Sequence, residues 1–134
     1  MYGWLSFGML NKMSALNRIT KELSQIQKMG LEGFQLTNTE DPFNWFGCLE
    51  GPSGSPYTGK KYRVHVRFSQ TYPFKAPSVE FMDQVVPEHQ HIFNVKKSEE
   101  HGNVCMPLLT AEGWGPTMTV RTMVAELRKM MGMP

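Results

Sequence analysis

The sequence predicts an α+β domain on three observations: an amphipathic helical period near the N-terminus, a central stretch of short β-branched and aromatic runs, and a second helical period near the C-terminus. Leu16, Ile19, Leu23 and Ile26 recur at steps of three and four, with Arg18, Lys21, Gln25 and Lys28 on other faces. Ser14 is the N-cap candidate of this first helix, and Gly30 is its stop. Residues 1–13 are read as an extension ahead of a domain that spans residues 14–134.

From Phe34 to Phe81 the pattern is that of an antiparallel meander, with runs such as Trp45-Phe46-Gly47-Cys48-Leu49 and Tyr62-Arg63-Val64-His65-Val66-Arg67-Phe68. Asp41-Pro42-Phe43-Asn44 and Gly51-Pro52-Ser53-Gly54-Ser55-Pro56 punctuate it, because Pro withholds a ladder N–H and Gly frees φ. Between Phe81 and Pro116 the periodicity weakens and Pro87, Gly102, Pro107 and Gly113 interrupt the chain, giving a loop of the length that usually carries function. Thr119 then caps a helix whose stripe is Val120, Met123, Val124, Leu127, Met130 and Met131. Arg128 and Lys129 lie where the helix dipole favours cations, and Gly132 is the stop.

Composition narrows the function. At 134 residues, 40% hydrophobic and 19% charged, the chain suits a single folded domain with a core of its own. Fourteen Lys and Arg against twelve Asp and Glu leave a formal charge of +2, far from the basic excess of a nucleic-acid binder. No run approaches a membrane span, and residues 1–10 lack the basic start and cleavage site of a signal peptide. Cys48 and Cys105 make no disulfide framework and fit a reducing compartment, cytoplasm or nucleus.

Cys105 lies in Gly102-Asn103-Val104-Cys105-Met106-Pro107, where flexible Gly and rigid Pro flank a thiol. A nucleophilic role would need access to the thiolate and a donor for the oxyanion of a tetrahedral intermediate. Asn94, in the same loop, has a side-chain amide of that type. His89, His91, His101 and Cys105 are permissible zinc ligands, but their spacing matches no compact finger, and no metal is expected. Cys48 reads as a small hydrophobe buried in its strand, and His65, alternating with Val64 and Val66, faces away from them.

Four motifs then recur in one order: Gly51-Pro52 with Pro56-Tyr57 and Gly59; Tyr72-Pro73-Phe74-Lys75-Ala76-Pro77; Gly102-Asn103-Val104-Cys105; and Trp114-Gly115-Pro116. Their order and approximate spacing resemble the ubiquitin-conjugating enzymes over about residues 14–131. Lys21-Glu22-Leu23, Gln27-Lys28, Met29-Gly30 and Cys105-Met106-Pro107-Leu108-Leu109-Thr110-Ala111-Glu112-Gly113-Trp114 are most similar to the subgroup that passes ubiquitin to a ligase cysteine. The resemblance implies a four-stranded meander and a UBC-like domain in which Cys105 takes ubiquitin from the activating enzyme as a thioester. Asn94 would organise the loop and stabilise the oxyanion. Phe74, Lys75 and Pro116 would bind the ligase, and Arg18 and Lys21 would face the activating enzyme. Pro107 stands where members that discharge onto lysine carry an acid, so a thiol acceptor is implied.

No cofactor is implied, since ATP is consumed by the activating enzyme; the partners are ubiquitin or a ubiquitin-like protein, the activating enzyme and a ligase, with no nucleic acid and no membrane. Three departures stand out. Where the family reads His-Pro-Asn, this chain reads Ile92-Phe93-Asn94, with His91 one place early. The segment from Val95 to His101, with Lys96, Lys97, Glu99 and Glu100, is about three residues longer than in the resembled enzymes, an addition that costs little closure entropy. The sequence stops at Pro134 after the second helix, where the family normally continues with two more. Two alternatives stay open at this point: conjugation of a ubiquitin-like modifier, and a non-catalytic binding module that keeps the fold.

Overall fold

The computed structural model describes residues 6–82, 87–93, 99 and 101–132. Its elements run α1 (Phe7–Met29), β1 (Phe34–Asn38), β2 (Asn44–Glu50), β3 (Lys61–Arg67), β4 (Ser78–Phe81), a 3₁₀ turn (Pro107–Leu109) and α2 (Val120–Met131). The four strands form one antiparallel sheet in chain order, the expected meander.

Register gives the sheet an inner and an outer face. Trp45 pairs with Val66, Gly47 with Val64 and Leu49 with Tyr62, while Val64 meets Phe81 and Val66 meets Val79. Apart from Gly47, which has none, these residues bury their side chains and build the core, each large one stabilising by about 1.5–3 kcal/mol relative to exposure. Phe68 closes edge-on against Trp45 and Tyr72, both at 4.8 Å between centroids. Ala15, Ile19 and Ile26 of α1 join the same core, as do Val120, Met123, Val124, Leu127, Met130 and Met131 of α2.

Thr119 caps α2 as expected, its hydroxyl accepting the N–H of Thr122, and Gly30 ends α1 at φ 72°. The start of α1 differs from the expectation. Ser6, not Ser14, is the N-cap, its hydroxyl accepting the Met9 N–H at 3.1 Å, so residues 7–13 are helical. The extra turns carry exposed Phe7, Met9, Leu10 and Met13, which blur the apolar stripe from which a helix start is read.

The outer face is polar and layered. Phe46 stacks on His65 at 4.5 Å. His65 Nδ1 lies 3.0 Å from Glu80 Oε1 and Nε2 lies 2.8 Å from Asn44 Oδ1, so His65 does face away from Val64 and Val66. Cys48 corrects the expectation of a buried hydrophobe. It alternates out of phase with Trp45 and Leu49 and is half-exposed on the outer face, opposite Arg63.

Candidate active site

The segment that ends in Cys105 is clamped between two extended neighbours. On one side, Val104 donates its N–H to Val79 O at 3.0 Å and Phe81 donates to Gly102 O at 2.8 Å, which lays residues 102–104 along the free edge of β4. On the other side, Phe93 donates to Asn103 O at 2.8 Å and Cys105 donates to His91 O at 2.7 Å, around an antiparallel bridge between Ile92 and Val104. Ile92 and Val104 point into the core, and Cys105 is exposed.

Gly102 makes this approach possible, because its φ is 90° and a Cβ there would stand 2.2 Å from Phe81 O. Only glycine meets both demands. Beyond the thiol, Met106 is buried and Pro107 opens the 3₁₀ turn, whose carbonyl accepts the Thr110 hydroxyl at 2.7 Å. Pro107 itself is exposed, and no carboxylate stands at that position in the chain. A cavity of about 340 Å³ opens next to this turn, between the His89–His91 segment and the Glu126–Met130 part of α2.

A second cluster lies where α1, the loop after β3 and the loop before α2 meet. Tyr72 is buried, Trp114 donates its indole N–H to Pro73 O at 2.7 Å, and the Tyr72–Pro73 peptide is cis. Phe74 is left 75% exposed at the tip, with Lys75 and Pro116 also exposed. Glu22 is buried at this junction: Oε2 accepts from Arg18 Nε at 2.9 Å and from the Tyr72 hydroxyl, and Oε1 accepts the Val120 N–H at 2.8 Å. Burial first, then the bond to Glu22, pushes the Tyr72 phenol well above its ordinary range.

The expected site residues fall into four groups. Cys105 and Pro107 are exposed together at the end of the clamped segment, while Phe74 and Lys75 are exposed in the loop after β3 and Pro116 in the loop before α2, the two loops tied by the Trp114 bond to Pro73 O. Lys21 is exposed on α1. Arg18, on the same helix, is tied within the chain, its guanidinium donating also to Pro116 O at 3.1 Å and Met118 O at 2.9 Å. It fastens α1 to the loop before α2. Asn94, Lys96 and Lys97 lie outside the described residues.

The residue that faces Cys105 is His91, which the sequence marked as a displaced histidine and as one of four permissible zinc ligands. Glu22, quoted only as part of Lys21-Glu22-Leu23, was given no role of its own; the signal for one was its four-residue spacing from Arg18. Among the described residues no group of three or more His, Cys, Asp or Glu is arranged to hold a metal, and no helix is long and apolar enough to cross a membrane.

An exposed thiol on a clamped strand, beside a four-stranded meander flanked by two helices, is the architecture of a ubiquitin-conjugating domain, and the family model of ubiquitin-conjugating enzymes matches residues 18–134. The chain belongs to that family. It is 31% identical over 123 residues to a probable ubiquitin-conjugating enzyme E2 W-A of Danio rerio, covering 88% of this chain and 76% of that protein. It is 32% identical over 117 residues to ubiquitin-conjugating enzyme 15 of Arabidopsis thaliana, covering 87% and 68%. The crystal structure of the enzyme E2 UbcA1 from Agrocybe aegerita superposes with a TM-score of 0.78 at 28% identity, over 90% of this chain and 83% of that one. The structure of human ubiquitin-conjugating enzyme E2 G1 gives 0.75 at 25%, over 90% and 96%.

Proposed function

We propose that Cys105 receives the C-terminal glycine of ubiquitin from the activating enzyme as a thioester and passes it preferentially to the catalytic cysteine of a ligase. The observation that carries this reading is the exposed Cys105 thiol at the end of a segment held on both edges by backbone hydrogen bonds. Exchange between sulfurs is nearly isoenergetic, so the protein's task is to position the thiol and polarise the carbonyl. A rigid strand end does the first.

Preference for a thiol acceptor is supported by Pro107. An attacking lysine is almost wholly ammonium at neutral pH and needs a base, whereas a thiol is already partly ionised. The tip of Phe74, Lys75 and Pro116 is the ligase contact in this reading, with Phe74 as its apolar anchor. Lys21 meets the activating enzyme, and Arg18 supports that surface from within. The domain needs no cofactor of its own, ATP being used by the activating enzyme, and works in the cytoplasm or nucleus.

The test is charging with activating enzyme, ATP and ubiquitin, followed by discharge onto free cysteine or free lysine. The wild type should form a thiol-sensitive adduct and the C105S variant a thiol-resistant ester or none. Discharge onto cysteine should exceed that onto lysine by at least about tenfold at neutral pH. Comparable rates on the two would remove the acceptor preference.

A further inference from the structure

The bridge between Ile92 and Val104 fixes what stands opposite the thiol. In an antiparallel pair, the residues flanking a bridge also face each other, with side chains on the same side and Cβ atoms about 5 Å apart. His91 and Cys105 are that flanking pair, and Cys105 N–H donates to His91 O at 2.7 Å. Since Ile92 and Val104 are buried, His91 and Cys105 both point outward.

The His91 N–H, which does not return the ladder bond, is accepted by His89 Nδ1 at 3.1 Å, and the two imidazoles lie 5.5 Å apart. An accepting Nδ1 places the proton of a neutral His89 on Nε2. Both rings line the cavity beside the Pro107 turn, which Glu126 and Lys129 of α2 close from the other side. The titratable groups that line the cavity with His91 are His89, Glu126 and Lys129.

We propose that His91 is a proton relay in the transfer step, taking the proton of the incoming ligase thiol and returning it to Sγ of Cys105. This rests on the reading of Cys105 as the thioester carrier. The incoming S–H bond breaks toward the imidazole nitrogen as a new C–S bond forms at the ubiquitin carbonyl. The bond from that carbonyl to Cys105 Sγ then breaks with its electron pair left on Sγ, which takes the proton from the imidazolium. One thiol and one thioester are consumed and one of each is formed, with no net redox change. The relay is useful because the thiolate is the nucleophile and most of a thiol is protonated at neutral pH.

The test isolates the ubiquitin thioesters of the wild type, H91N and H91Q, both of which keep the backbone carbonyl that holds Cys105, and discharges each onto 2-mercaptoethanol from about pH 7 to about pH 9.5, spanning the thiol's own ionisation. Both variants should discharge on the order of tenfold more slowly near pH 7, below the usual range for general-base catalysis because thiols ionise partly unaided. Their rates should meet the wild type near pH 9.5. Wild-type rates at pH 7, or a deficit of equal size at every pH, overturn the relay, the second by showing a merely structural role. Failure of wild-type Cys105 to charge at all would instead overturn the thioester reading beneath it.

Discussion

Glu22 gathers donors from three elements: Arg18 on α1, the Tyr72 hydroxyl after β3, and the first N–H of α2 at Val120. Its carboxylate is stabilised where it is buried because every donor is aimed at it, and it in turn satisfies an N–H that the helix end would leave orphaned. Replacement by alanine would strand the phenol and the helix terminus together. We expect E22A to lose about 3 kcal/mol, a fall of roughly 10 °C in Tm, measured by thermal unfolding; an unchanged Tm would show that these bonds add nothing net. Cys105 and His91 pose the complementary case, side chains held outward by a register that buries their neighbours Ile92 and Val104.

Among the elements, the loop after β4 decides the position of the thiol. Gly102→Ala would force both a left-handed φ onto a Cβ and a clash with Phe81 O, at a cost of about 1–3 kcal/mol. We expect G102A to charge more slowly than wild type even at temperatures where circular dichroism shows it folded; full charging would mean the clamp is not needed. At the opposite tip, Phe74→Ala should leave Tm and charging unchanged, since the ring touches little of its own chain, but slow ligase-dependent transfer by about tenfold or more. Much of this organisation was legible in the chain. Thr119, Gly30 and Gly132 announce helix ends because caps act locally, and the Phe34–Phe81 stretch shows its strands by period. The start of α1 was hidden because two serines offer equivalent caps and exposed apolar residues precede Ala15. The position of His91 opposite Cys105 was hidden for a different reason: pairing across the loop is non-local, and only the hydrogen-bonded register between residues 91–93 and 103–105 reveals it.

At the scale of the whole molecule, one core joins the inner sheet face to both helices, and polar ties at its margin set the loops: Arg121 to Gly30 O, Arg128 to Glu50 O, and Arg18 to Pro116 O and Met118 O. Burial raises the phenols of Tyr57 and Tyr62 as well as that of Tyr72. A raised folded value means that the stabilisation is intact below the unfolded tyrosine pKa of about 10 and is lost as pH rises above it. Thermal melts should therefore fall off above about pH 10, and Y72F should show a shallower alkaline decline than wild type; a steeper one would contradict the assignment. The proposed function turns on which atom carries the modifier. Intact-mass analysis of the protein after reaction with activating enzyme, ATP and ubiquitin tests it most directly. A thiol-labile adduct of one ubiquitin, retained in C48A and absent in C105A, is the expected result. An adduct that persists without Cys105, or none on a folded wild type, would contradict it.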